Sequence, residues 1–279
     1  MSSSKQVVCA YSPDSDDAFM FYAIATKKIR SSFLEFRNVL SDIQTLNQKA
    51  RDGEYDLTAV SYAAYPYIAD KYVLMAAGSS IGDGYGPMVV TTRKTTLQEI
   101  KGKRIAVPGK MTSSYLALRL LEPDFEAVET PFDRILEVVR EGRVDAGLII
   151  HEAQLTYGKS GFHSVVDLGR WFKETYQLPL PLGANVLRRG LSPEVSTECC
   201  HMMRESIQYA LDHREEGLNY ALQFARDMEV PLAEKFIGMY VNHYTIDCGD
   251  VIPKAAQKLF DLGYEAGLIP MRVEAEFVR

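Results

Sequence analysis

The chain has 279 residues, 47% hydrophobic and 24% charged, enough apolar material for one large domain or two lobes with sizeable cores and too much for disorder. A formal net charge of -6 argues against nucleic acid as a partner, because that binding is driven by basic surface, and no apolar run is long enough for a membrane span. Residues 1–6 lead into the short apolar run 7–10, too brief for a signal-peptide core, so the expected location is cytoplasmic.

Strands are expected over residues 7–11, 34–39 and 57–60, with helices between them over 16–26 and 41–52. The second helix takes Ser41 as its N-cap and carries Ile43, Leu46 and Ala50 on one face. Another strand is expected over 72–77. A glycine-rich break over 78–87, of which 82–87 reads first as a flexible connector and second as a loop covering the cleft, comes ahead of a β run at 88–92.

A second α/β unit then begins: a helix start at Leu97, a strand over 104–107, a Pro108-Gly109 turn and a helix over 112–121. It continues with a strand over 127–130, a helix over 132–141, strands over 144–150 and 164–168, and an exit strand over 184–187. Beyond Ser192 the pattern is helical, over 193–213, 215–228, 232–242 and 249–267. This order predicts an α/β fold of two lobes: a larger discontinuous lobe of 1–92 and 189–279, and a smaller inserted lobe of 93–188. The crossings fall near 91–95 and 187–190, and the ligand lies in the interlobe cleft.

Ligands of open α/β sheets bind at the carboxyl ends of strands, and several polar segments fall there. The strand over 144–150 runs into His151-Glu152, placing a titratable imidazole where chemistry is done; Glu152 could orient or charge it, or simply cap the next helix. The run 12–17, Ser-Pro-Asp-Ser-Asp-Asp, sits between the first strand and first helix. There Asp14 or Ser15 either only caps the helix or joins Ser12 and Asp17 in meeting a ligand hydroxyl, three aspartates disfavouring a strongly anionic ligand. The run 61–65 follows the strand over 57–60 and opens another helix, repeating the strand-end placement, with Ser61 read either as an N-cap or as a donor to a bound oxygen and Tyr62 and Tyr65 otherwise as half-buried aromatics with wet hydroxyls. Thr112, Ser113 and Ser114 open a helix after Pro108-Gly109, as a cap or as a cradle for a carboxylate.

Neither a G-x-x-x-x-G-K-[ST] loop nor a G-x-G-x-x-G after a strand occurs, so no nucleotide cofactor is supported, and without G-x-S-x-G there is no nucleophile elbow. The cysteines, Cys9, Cys199, Cys200 and Cys248, form no C-x-x-C pair and are expected as reduced thiols. His163, His201, His213 and His243 lie far apart, and no metal is expected.

Ser12-Pro13 with Asp17 and Phe19, Leu57-Thr58 with the run 61–65, Gly84 with Gly86-Pro87, Val107-Pro108-Gly109 with Thr112, the run 146–152 and Leu-Pro-Leu-Pro-Leu-Gly at 178–183 together resemble the menaquinone-biosynthesis family that contains 1,4-dihydroxy-6-naphthoate synthase and chorismate dehydratase. Ile149-Ile150-His151-Glu152 and the 178–183 run resemble the naphthoate-synthase branch in particular. The resemblance covers nearly the whole chain. It implies a fold similar to type II periplasmic binding proteins. It also implies a cofactor-independent carbon–carbon lyase that releases 1,4-dihydroxy-6-naphthoate from cyclic dehypoxanthinyl futalosine. His151 would then be the general base, and Ser12, Asp17, Ala59, Val60, Ser61, Tyr62, Thr112, Ser113, Ser114 and Gly183 would bind the substrate.

The first loop departs from the branch pattern Ser-Pro-Cys-Pro-Asn-Asp-Thr-Phe: Asp16 for Asn loses a donor and adds charge, and Ala18 for Thr loses a hydroxyl. A related substrate, chorismate dehydration and a non-catalytic carboxylate-binding protein are the alternatives. The expected partner is a small molecule, with a second copy of the chain in a homodimer as a candidate.

Overall fold

A computed structural model describes residues 4–224 and 229–279. The chain opens with β1 (Lys5–Tyr11), α1 (Ser15–Ala25), β2 (Leu34–Leu40), α2 (Ile43–Asp52) and β3 (Leu57–Ser61). A 3-10 turn over Tyr62–Tyr67 leads to β4 (Tyr72–Met75) and β5 (Ser80–Gly82). Next come β6 (Met88–Thr91), β7 (Arg104–Val107), α3 (Ser113–Leu121), β8 (Glu126–Glu129) and α4 (Ile135–Arg140). They are followed by β9 (Ala146–Ile149), α5 (Ala153–Thr156), β10 (His163–Asp167), α6 (Leu168–Tyr176) and β11 (Leu180–Arg188). Helices α7 (Pro193–Asp212), α8 (Arg214–Ala221), α9 (Val230–Tyr240), α10 (His243–Ile246) and α11 (Val251–Glu265) precede the final strand, β12 (Phe277–Val278). Of the helix expected over 215–228, residues 225–228 lie outside the described residues.

The strands form two mixed sheets. One runs β12-β4-β11-β3-β1-β2 with β5 also on β11; the other runs β10-β6-β9-β7-β8. In the first, β1 lies parallel to β2 and β3, while β11 runs antiparallel to β3, β4 and β5. In the second, β7 lies parallel to β8 and β9, and β6 runs antiparallel to β9 and β10.

Sheet membership moves both expected crossings. β6 pairs inside the five-stranded sheet and β11 inside the seven-stranded one, so the chain changes sheets between Gly82 and Met88 and again between Asp167 and Leu180. The second shift has a visible cause. Prolines and a glycine at 179–183 mask the start of β11, yet an irregularity in register between Pro181 and Gly183 lets the strand carry them. The segment after Ser61 is 3-10 rather than α, with Pro66 inside it. The cap of α2 is Asp42, whose side chain accepts the Thr45 N–H at 3.0 Å, not Ser41.

Apolar packing ties the sheets together. Val60 and Leu74 of the first share one buried cluster with Val89, Ile105 and Leu148 of the second, joined by Leu116 of α3, Phe172 of α6 and Phe260 of α11. A separate cluster packs α1, α7 and α9 on β1, through Phe19, Met203 and Ile237 around Val7 and Cys9. Among the described residues no helix is long and apolar enough to cross a membrane.

Candidate functional site

Loops from both sheets line one cleft of about 760 Å³, its solvent-open mouth included. Ser12 follows β1, Ser61 ends β3, Thr112 follows β7 and His151 follows β9, so four strand ends supply it. Of the residues expected to bind or react, all but Tyr62 line this cleft. Tyr62 is fully buried instead, its hydroxyl paired with Ser79 Oγ at 2.8 Å.

Strand register builds one wall. Gly183 of β11 stands opposite Ser61 of β3 on one side and Ser80 of β5 on the other, bringing two hydroxyls beside a residue without a side chain. Ser61 is held by Asn47 of α2, a buried residue that the sequence reading missed. The Ser61 N–H donates to Asn47 Oδ1 at 2.8 Å, and Asn47 Nδ2 donates to Ser61 Oγ at 3.1 Å. Since Ser61 Oγ accepts there, its own proton remains for another acceptor. Ser61 makes no side-chain cap bond, which removes the helix-cap reading.

The first loop is tied to itself. Ser12 donates its hydroxyl to Asp14 Oδ2 at 2.7 Å and its N–H to Asp17 Oδ2 at 2.9 Å, so Asp14, at the N-cap position, does not cap through its side chain. Asp16, half-buried and lining the cleft, receives the Ser80 hydroxyl at 3.1 Å. Burial and the adjacent Asp14 carboxylate push the Asp16 carboxyl up to about 7; burial, with Asp16 next, pushes Asp17 up as well.

The hydroxyls at the start of α3 are also largely committed. Thr112 caps the helix by accepting the Tyr115 N–H at 3.2 Å while donating to the Gly109 carbonyl at 2.8 Å. With its single proton given there, Thr112 accepts from Ser114 in their 3.0 Å contact. Ser113 donates to the Leu182 carbonyl at 2.7 Å and accepts the Ala63 N–H at 3.1 Å. Ser113 thereby fastens α3 to β11 of the other sheet, and with these hydroxyls committed an anion here would meet the first-turn N–H groups and the helix dipole. No lysine or arginine lines the cleft among the described residues.

Neighbouring backbone groups set the tautomer of His151. A backbone N–H can only donate, so the 3.1 Å contact from Ala153 makes Nδ1 the acceptor; a carbonyl can only accept, so the 3.2 Å contact to Phe132 puts the proton on Nε2. Glu152 Oε2 lies 3.8 Å from Nδ1, and the Phe132 ring packs edge-on at 5.2 Å. The ring thus accepts at Nδ1 and donates at Nε2.

Phe236 and Tyr240 of α9 complete the lining. The Tyr240 hydroxyl donates to Gln154 Oε1 at 2.7 Å, just beyond His151, and Tyr85 packs edge-on against the Tyr240 ring at 5.8 Å. In sequence these two aromatics, four residues apart, look like ordinary core periodicity. Ser80 is hidden in the glycine-rich break, whose Gly78 and Pro87 also line the cleft. All four cysteines are free and buried, and burial pushes Cys199 up to about 12 and Cys248 to about 11, poor settings for a nucleophilic thiolate.

Two mixed sheets with a cleft between strand-end loops define a protein of the periplasmic-binding-protein fold class. The alkanesulfonate-binding protein of Xanthomonas axonopodis pv. citri, solved bound to MOPS, matches with a TM-score of 0.73 over 99% of this chain and 98% of its own, at 15% identity. Residues 7–265 match the family described as menaquinone biosynthesis, and the chain belongs to that family. Two relatives bear the name 1,4-dihydroxy-6-naphtoate synthase. The Thermus thermophilus protein is 40% identical, covering 92% of this chain and 94% of its own, and the Streptomyces coelicolor protein is 36% identical, covering 94% of each. A solved structure from Archaeoglobus fulgidus is 45% identical with a TM-score of 0.92, covering 95% of this chain and 98% of that one.

Proposed function

We propose that this cleft converts cyclic dehypoxanthinyl futalosine to 1,4-dihydroxy-6-naphthoate, as a carbon–carbon lyase needing no cofactor, with His151 as general base. The observation that carries the reading is the placement of His151 in the cleft with Nδ1 as its accepting nitrogen, in a chain whose relatives bear the synthase name. A substrate hydroxyl replaces the Ala153 N–H at Nδ1 and gives up its proton there, while Nε2 stays on the Phe132 carbonyl and keeps the ring oriented.

With no lysine or arginine in the lining among the described residues, the substrate carboxylate is held by N–H groups at the start of α3 and by the hydroxyl of Ser61. Ser12, Asp17, Ala59, Val60 and Gly183 shape the space for the ring and its hydroxyls. The test is one incubation of purified protein with both the cyclic substrate and chorismate, read by mass spectrometry. Formation of the naphthoate with chorismate intact is the expected result. Loss of chorismate, or binding of either compound without product, refutes the reading in favour of a dehydratase or a binding protein.

A further inference from the structure

We propose that Asp16 is the general acid of this cleft, delivering a proton to the substrate oxygen that gains charge as His151 removes one from a hydroxyl. The inference rests on the function proposed above. Asp16 stands in the first turn of α1, beside the seven-stranded sheet, whereas His151 follows β9 of the five-stranded one, and both line the cleft. A ligand between them is met by an acid from one sheet and a base from the other.

Three carboxylates, Asp14, Asp16 and Asp17, crowd the lining with no lysine or arginine among its described residues, so they cannot all ionise cheaply at neutral pH. Asp14 and Asp17 have their Oδ2 atoms engaged by Ser12, which closes the loop. Asp16 accepts the Ser80 hydroxyl of β5 and backbone N–H groups of its own turn, lines the cleft, and is more open than the buried Asp17. From α9 it faces Tyr240, a phenol that burial keeps neutral. Desolvation and the Asp14 charge raise the Asp16 carboxyl to about 7, which leaves a large protonated fraction at neutral pH.

The step balances without an oxidant or reductant. His151 Nδ1 takes the hydroxyl proton, that carbon–oxygen bond becomes a carbonyl, and the adjacent carbon–carbon bond breaks. Its electron pair moves through the ring onto a conjugated carbonyl oxygen, to which Asp16 hands its proton. Imidazolium and carboxylate then reset by proton exchange with water.

The test compares pH profiles of turnover for the natural protein, Asp16→Asn and Ser80→Ala. The natural protein should lose kcat/KM as pH rises above about 7, because the acid must be protonated. Asp16→Asn keeps shape and a donor but has no transferable proton. It should lose roughly 10²–10⁴-fold in kcat with KM little changed, and lose the alkaline limb. Ser80→Ala removes a hydrogen bond that favours the carboxylate and should move that limb to higher pH.

Undiminished kcat in Asp16→Asn, with or without the limb, overturns the assignment, and so does an unmoved limb in Ser80→Ala if the first variant fails to fold. Infrared difference spectra of the unliganded protein should show a carboxylic-acid carbonyl band lost through about pH 7 and missing in Asp16→Asn. If that band is present while the natural protein leaves the substrate untouched, the proposed reaction has failed and Asp16's proton has not. If the band is absent, Asp16 itself is refuted.

Discussion

Replacing Tyr240 with phenylalanine removes one oxygen from a buried contact between α9 and the segment that carries His151. The lost hydrogen bond, Tyr240 to Gln154 Oε1 at 2.7 Å, leaves that oxygen buried without its partner, and Gln154 Nε2 already has none among the described residues. A stranded buried polar group costs about 1–3 kcal/mol, so Tyr240→Phe should lower the free energy of unfolding by roughly that amount in urea titrations. Replacing both partners, as in Tyr240→Phe with Gln154→Leu, removes the stranded amide and should recover much of the loss, a coupling of about 1–2 kcal/mol. Turnover should not recover with stability, because the double variant still lacks the tie behind His151. Equal urea midpoints for Tyr240→Phe and the natural protein would refute this reasoning, as would strictly additive losses in the double variant.

Asn47→Leu should raise KM and cost about 1–3 kcal/mol of stability, because it strands the Ser61 N–H and frees the Ser61 hydroxyl to turn away from the cleft; steady-state kinetics and calorimetry check both. Gly169→Ala should lower the thermal midpoint, since its Cβ would lie 1.8 Å from the Tyr85 carbonyl oxygen and α6 must shift by at least the resulting overlap. The stability of Asp16→Asn relative to the natural protein should depend on pH. A carboxyl raised to about 7 in the folded state favours folding at low pH, an advantage lost as pH climbs from about 4 to 7. The variant should therefore match the natural protein near pH 4 and exceed it at pH 8 by on the order of 2 kcal/mol, after discounting for partial exposure.

Where apolar period and turn chemistry agree, the sequence is explicit. β7 has its predicted bounds, and α2 shows its buried Leu46 and Ala50 stripe with Gly53 in the left-handed conformation at its end. Elements whose signals conflict are harder to see. α6 is hard to see because its buried Leu168, Gly169 and Phe172 are interrupted by Arg170, Lys173, Glu174 and Thr175, although Asp167 caps it by accepting the Arg170 N–H. The prolines at the start of β11 hide its first residues, so the chain returns to the seven-stranded sheet earlier than its apolar pattern indicates.

The strand-end polar residues of the cleft were legible because their positions follow from sheet topology. Asn47, Ser80 and Tyr240 were not, because they join the site through register and helix packing across long stretches of chain. The hydroxyls of Thr112 and Ser113 show the opposite limit: sequence places them at the cleft but cannot tell that their protons are already committed to carbonyls.

The central claim is that His151 Nδ1 takes the proton that starts bond cleavage, and parallel binding and turnover measurements on His151→Asn test it most directly. Asparagine retains polar atoms near the Phe132 and Ala153 backbone but is not a base at neutral pH. The cyclic substrate should bind within a few fold of its natural affinity by calorimetry, while kcat falls by about 10²–10⁴-fold. A variant that binds and turns over like the natural protein would contradict the account.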